Sequence, residues 1–141
     1  MTIDTTFLRR CISSLQYASS EIVTIDDRSS SLYDVYRAAC VKEFELVLEQ
    51  SGKLLRKRLA AYFASNRQAD RLAFKDLFRY AAKHGLLDTE VVERWLLYRD
   101  NRNDTAHNYG EDFAESTLEL LTTFVEDAKS LADMIDQTDE R

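Results

Sequence analysis

Residues 32–64 read LYDVYRAACVKEFELVLEQSGKLLRKRLAAYFA. Leu32, Val35, Tyr36, Ala39, Phe44, Val47, Leu48, Leu55, Leu59 and Tyr62 step along this run at intervals of mostly three and four. That spacing places them on one side of a 3.6-residue helix and predicts a single long helix. Gly52 sits in its middle, where glycine costs about 1 kcal/mol against alanine. It marks a bend, a close contact with a neighbouring helix, or a tolerated residue.

Working outward, residues 4–20 predict a first helix, with Phe7, Cys11, Leu15 and Ala18 at helical spacing and Asp4 or Thr5 as its cap. Residues 21–31 break the pattern. Ile22, Val23 and Ile25 are β-branched and the run Asp26–Ser31 is polar, so this is a loop; one short strand would have no partner. After a connection at Ser65-Asn66, residues 68–84 form a shorter helix closed by His84-Gly85. Glycine just past a helix end takes the left-handed conformation cheaply, and His84 suits the negative end of the helix dipole. Asp88 caps a further helix whose buried face is Val91, Trp95 and Tyr98. A last helix opens at Gly110-Glu111-Asp112 and runs over about 111–136. Its inner stripe is Phe113, Thr117, Leu121, Phe124, Ala128, Leu131 and Ile135. The sum is all-α: an antiparallel four-helix up-and-down bundle with one extra short helix, in a single domain over residues 1–141.

Composition agrees. The chain has 141 residues, no proline, three glycines and 45% hydrophobic residues, so it has few helix breakers and enough apolar surface for a core. No apolar run approaches the roughly 18 residues of a membrane span, and Met1-Thr2-Ile3-Asp4 lacks the basic and apolar regions of a signal peptide. Cys11 and Cys40 have no metal-ligand spacing and are too few for a disulfide framework. A reducing cytoplasm is the expected compartment. The net charge of −6 argues against a general nucleic-acid binder. Its distribution is uneven: residues 53–83 carry nine basic and two acidic side chains, residues 110–141 two basic and ten acidic. The asymmetry either steers partners or is neutralised between the two segments in the fold. Arg67, Arg71, Lys75, Arg79 and Lys83 repeat every four residues as a basic stripe. They form a solvated face, or a docking track for RNA or an acidic partner.

The chemistry concentrates between the last two helices, in Arg102-Asn103-Asp104-Thr105-Ala106-His107-Asn108-Tyr109. Arginine is a permanent planar cation suited to phosphate, and histidine titrates near neutrality. Together they suffice for phosphoryl chemistry without a metal. Asp100 and Asp104 share a face, but two carboxylates are weak evidence for a metal. On a straight helix, positions five apart differ by about 140° in direction, so Arg102 and His107 diverge, whereas Asn103 and His107 share a face. Either the helix ends or kinks inside the motif, or a second copy of the chain completes the pair. Taken singly, each of these residues is more often structural: a capping histidine, a surface ion-paired arginine, a core-edge tyrosine.

As a set, Arg102-x4-His107-x-Tyr109 with Asn103 after the arginine resembles the signature of the HEPN superfamily. More narrowly it resembles the HepT-like branch, known as nucleotidyltransferase substrate-binding proteins. The resemblance runs through the whole chain, from the helix around Tyr36–Leu59 to Tyr109. It implies a four-helix-bundle homodimer paired with a minimal nucleotidyltransferase, often as toxin and antitoxin. It further implies a metal-independent endoribonuclease with no cofactor, silenced in some pairs when the partner adenylylates the motif tyrosine, here Tyr109. Bottom-up, His107 would move the proton of the RNA 2′-hydroxyl or of the leaving 5′-oxygen. Arg102 would hold the scissile phosphate, Asn103 would orient His107 or the phosphate, and Tyr109 would position RNA. The alternative is a non-catalytic partner that presents substrate to a nucleotidyltransferase.

Overall fold

A computed structural model describes residues 2–105 and 111–138, with the side chains of 66, 103–105, 111–114 and 138 outside the description. The described residues form six α-helices and a single 3-10 turn: α1 (Thr6–Ile22), α2 (Ser31–Leu59), the turn Ala60–Tyr62, α3 (Asn66–Asp70), α4 (Phe74–Lys83), α5 (Thr89–Thr105) and α6 (Glu111–Thr138). Four of these make the bundle. Thr5, the cap of the first helix, and Arg9 within it meet Asp136 and Asp133 near the end of the last, so α1 and α6 are antiparallel. Asn101 meets Thr117 and Arg94 meets Asp127, so α5 and α6 are antiparallel too. Tyr33 meets Glu115 and Phe44 meets Phe124, so α2 and α6 run the same way. The result is an up-and-down bundle. The C-termini of α1 and α5 and the N-termini of α2 and α6 share one end.

α2 forms because its ends suit a helix as well as its face does. Ser30 is the cap, its hydroxyl accepting from the Tyr33 N–H at 3.1 Å. Asp34 lies in the first turn and Arg56, Lys57 and Arg58 in the last, each charge favourable to the helix dipole. The helix stops at Leu59, five residues short of the expected 64. Aromatic docking draws the chain off the axis: Tyr62 stacks on His84 with centroids 4.3 Å apart, and Phe63 turns extended and stacks on Tyr80 at 4.7 Å. Ser65 then caps α3 by accepting from Gln68 N–H, while Gln68 Oε1 accepts from Ala64 N–H. This is close to the reciprocal Ser-x-x-Gln capping box.

The expected helix over 68–84 is two helices. Arg56 of α2 donates from one guanidinium nitrogen to the carbonyls of Ala69 at 2.6 Å and Leu72 at 2.8 Å. Those carbonyls would otherwise accept from the chain four residues on, so the guanidinium ends α3 and frees 71–73 to turn. α4 then closes as expected: Gly85 has φ 72°, its N–H bonds to Ala82, and Leu86 N–H bonds to Ala81, the paired pattern of a Schellman cap.

α4 lies between α2 and α5, which touch each other only sparsely. Phe74 at its start fills the space over Gly52, where an added Cβ would sit 2.8 Å from the ring. Gly52 therefore marks a close helix contact. From there aromatic rings run across the core: Phe74–Phe78, Phe78–Trp95, Trp95–Phe124, Tyr98–Phe124 and Phe44–Phe124, with centroids 4.6–5.7 Å apart.

Helical phase corrects several expected core residues. Leu8, not Phe7, is buried in α1; Tyr33 takes the inward place that Leu32 and Val35 do not; Val92 is buried more fully than Val91; and Tyr62 is exposed. Thr5 occupies the cap position, yet its hydroxyl donates to Asp136, and the Asp4 carboxylate takes the Thr6 N–H instead. The α6 stripe from Thr117 to Ile135 is buried as expected, and Phe113 lies outside the described side chains.

Replacing Gly52 with valine is expected to displace Phe74 and lower stability by about 1–3 kcal/mol. A urea unfolding midpoint unchanged from the parent would contradict that contact.

Candidate functional site

The end of α5 enters the motif under tight control from α6. About one and two turns before Arg102, α5 meets the buried Asp127 carboxylate of α6, which receives three hydrogen bonds. Arg94 Nε and Nη2 each donate at 2.8 Å, and the Tyr98 hydroxyl donates at 2.6 Å. Asp127 holds the Arg94 guanidinium firmly charged, raising its pKa. Burial first, and the same carboxylate second, push the Tyr98 phenol well above its usual range, so it stays a donor at any ordinary pH. Closer to the motif, Asn101 is buried. Its amide donates to Thr117 Oγ1 at 2.9 Å, and its carbonyl accepts from Ser116 Oγ at 2.8 Å. Both groups of the amide side chain are used, so the rotation of α5 is specified up to the residue preceding Arg102.

Arg102 follows inward-facing Tyr98 by four residues, an offset of about 40° around the helix. It emerges on the bundle side and is partly exposed. Asn103 lies within the α5 backbone, and its side chain is outside the described residues, as are His107 and Tyr109 entirely. Across the same end of the bundle, the Tyr33 hydroxyl donates to Glu115 at 2.9 Å, and Arg37 approaches Glu115 at 3.8 Å and Asp34 at 3.4 Å. Burial chiefly, with Glu115, raises the Tyr33 pKa.

Because α3 and α4 are separate helices, the basic residues expected on one stripe do not share one helix face. Arg67 lies on α3 and Arg71 in the joint after it, both exposed, beside the Arg56 contact on the C-terminal half of α2. Lys75, Arg79 and Lys83 remain on α4. Lys75 bridges to Asp100 at 2.5 Å, two residues from Arg102; Arg79 pairs with Asp76 at 3.2 Å; Lys83 lies over the Tyr80 ring at 5.4 Å. Among the described residues, the carboxylates of α6 form ion pairs with Arg9, Arg37 and Arg94, and the cations of 53–83 with Asp76 and Asp100, so these pairs run elsewhere than between the basic and acidic segments. His84 is stacked between Tyr62 and Tyr80 at the C-terminus of α4, the structural place expected for it. Among the described residues no group of three or more His, Cys, Asp or Glu side chains is arranged to hold a metal, and no helix is long and apolar enough to cross a membrane.

Sequence spacing missed Asn101, Asp127 and Arg99 as parts of this region. The inward series Val91, Trp95, Tyr98, extended by three, reaches Asn101, so that residue was within reach of the same rule. Asp127 shares its face of α6 with buried Phe124, Ala128 and Leu131, where a carboxylate signals a buried partner.

Residues 4–137 match the family described as "Nucleotidyltransferase substrate binding protein like". The chain belongs to this family. It is 27% identical over 125 residues, 84% of each chain, to the Haemophilus influenzae protein named "Probable ribonuclease HepT". Its fold is similar to a Haemophilus influenzae structure described as revealing the fold of a substrate binding domain of a nucleotidyltransferase. That likeness has a TM-score of 0.77 and 26% identity, and covers 94% of this chain and 98% of the other. A Thermus thermophilus structure shares the fold at TM-score 0.69 and 23% identity, over 91% of this chain and 98% of the other.

Asn101→Leu removes the buried amide that donates to buried Thr117 and accepts from the exposed Ser116 hydroxyl. The expected loss is about 1–3 kcal/mol, read from the urea midpoint. Unaltered stability would show that the amide does not brace this end of α5.

Proposed function

We propose that this chain is a metal-independent endoribonuclease that works as a homodimer, the toxin of a toxin–antitoxin pair whose antitoxin is a minimal nucleotidyltransferase. The observation that carries the reading is the Arg102-Asn103-x3-His107-x-Tyr109 spacing in a chain similar to a protein named a probable ribonuclease. The RNA 2′-hydroxyl attacks the adjacent phosphorus as His107 takes its proton. The bond to the 5′-oxygen breaks, and that oxygen receives the proton that His107 has taken. The products are a 2′,3′-cyclic phosphate and a free 5′-hydroxyl, so no water or metal enters the bond exchange. Arg102 stabilises the added charge on the phosphorane, Asn103 orients the imidazole or the phosphate, and Tyr109 positions RNA. Adenylylation of Tyr109 by the partner would set a negative phosphate beside Arg102 and silence the site.

A second reading follows from the family description: a non-catalytic subunit that presents substrate to the nucleotidyltransferase. The cytoplasm suits either role.

His107→Ala is expected to lower RNA cleavage by at least about a hundredfold, with fold and partner binding intact. In the same preparation, wild-type chain incubated with its partner and ATP gains one adenylyl group in intact mass, located on Tyr109. Wild-type protein that cuts no RNA and still binds the partner stably sustains the second reading. A modification mapped to another residue removes Tyr109 from the mechanism.

A further inference from the structure

Arg99 lies three residues before Arg102 on α5. The two stems sit on successive turns of one flank, about 4.5 Å apart along the axis and about 60° apart around it. Like charges at this spacing repel and weaken a helix. Among the described residues no carboxylate is paired with either guanidinium. Asp100, the acid between them in sequence, projects elsewhere and is taken by Lys75 at 2.5 Å. Arg99 is also held in place: its guanidinium carbon stands 5.1 Å over the centroid of Phe74, the ring seated on Gly52. A guanidinium stacked on an aromatic face keeps its donor edge free and loses little freedom on binding. Burial and the charge of Arg102 both weigh against the cation of Arg99 and lower its pKa. An anion between the heads relieves that cost.

We propose that Arg99 and Arg102 form a two-guanidinium cradle for consecutive phosphates of a single RNA strand, Arg102 taking the scissile phosphate and Arg99 its neighbour. The assignment rests on the ribonuclease reading and adds a binding residue to it. Two observations favour a strand over a lone small anion. The two stems rise about 4.5 Å apart along α5, and two long side chains on successive turns reach two phosphates of a strand where a lone anion engages one point. The chain as a whole is acidic, at −6, so affinity for a polyanion has to be concentrated locally. Lys75, tied to Asp100, stands next to the cradle.

The test uses full-length protein carrying His107→Ala, so that RNA is bound and not cut. A short fluorescent single-stranded RNA is titrated at several salt concentrations. Arg99→Met keeps a long stem on Phe74 and removes the charge; Arg99→Gln is a second neutral variant should the first fold poorly; Arg99→Lys keeps the charge. The slope of log affinity against log salt is expected to fall by about 0.7 in the neutral variants, the value of one phosphate contact on a single strand, and to stay near the parent's in Arg99→Lys. In a separate preparation with His107 intact, Arg99→Met raises KM more than it lowers kcat. If wild type cuts RNA and the neutral variants keep the parent slope, this inference fails alone. An unchanged slope with weakened nucleotidyltransferase binding assigns the pair to a protein interface, which also overturns it. If wild type neither cuts nor binds RNA, the ribonuclease reading falls and takes the cradle with it.

Discussion

The buried Asp127 carboxylate is the contact on which the geometry of the motif end depends. A carboxylate out of water is costly unless its oxygens are fully engaged. Here two bonds from Arg94 and one from Tyr98 engage them. All three donors belong to α5, and the acceptor belongs to α6. The network therefore does more than hold two helices together: it selects their relative rotation, because no other phase of α5 presents residues 94 and 98 to the same carboxylate. Asn101 repeats the arrangement one turn further on with neutral groups. Arg102, the next residue, inherits that direction.

The second organising feature is the wedge formed by α4. In a simple up-and-down bundle α2 and α5 would pack side by side. Here Gly52 leaves room for the Phe74 ring, and Arg56 ends α3 so that the chain can turn into α4 at that point. The wedge carries Phe74 under Arg99 and Lys75 against Asp100. A packing device on the flank of the bundle thus sets the charges that border the motif.

Much of this was legible in the sequence, and the gaps have physical causes. The all-helical bundle, the long second helix, the Gly85 cap and the α6 stripe follow from periodicity and from the backbone needs of glycine. Boundaries went astray where a distant side chain intervened. Arg56 splits the expected helix over 68–84 from the other end of the bundle, and aromatic stacking on α4 ends α2 early. Neither effect is local to the residues that change. Phase errors of one residue, Phe7 for Leu8 and Leu32 for Tyr33, arise where polar partners and apolar neighbours compete for the inward position. Tyr33 goes inward because Glu115 is there to receive its hydroxyl. Of the site, Arg102 and its place at the bundle end were within reach of the spacing. The positioning amide of Asn101 and the stacked Arg99 depend on partners in other helices, which a single helix pattern does not encode.

We propose that each working site draws its guanidinium from Arg102 of one chain and its imidazole from His107 of the other. Mixing Arg102→Ala protein with His107→Ala protein, each inactive alone, tests this directly. If sites are shared, every mixed dimer holds one site with both groups intact. Random reassortment then restores about a quarter of wild-type activity, since half the dimers are mixed and each has one good site of two. If mixed dimers form and no cleavage returns, arginine and histidine serve from the same chain and the claim is wrong.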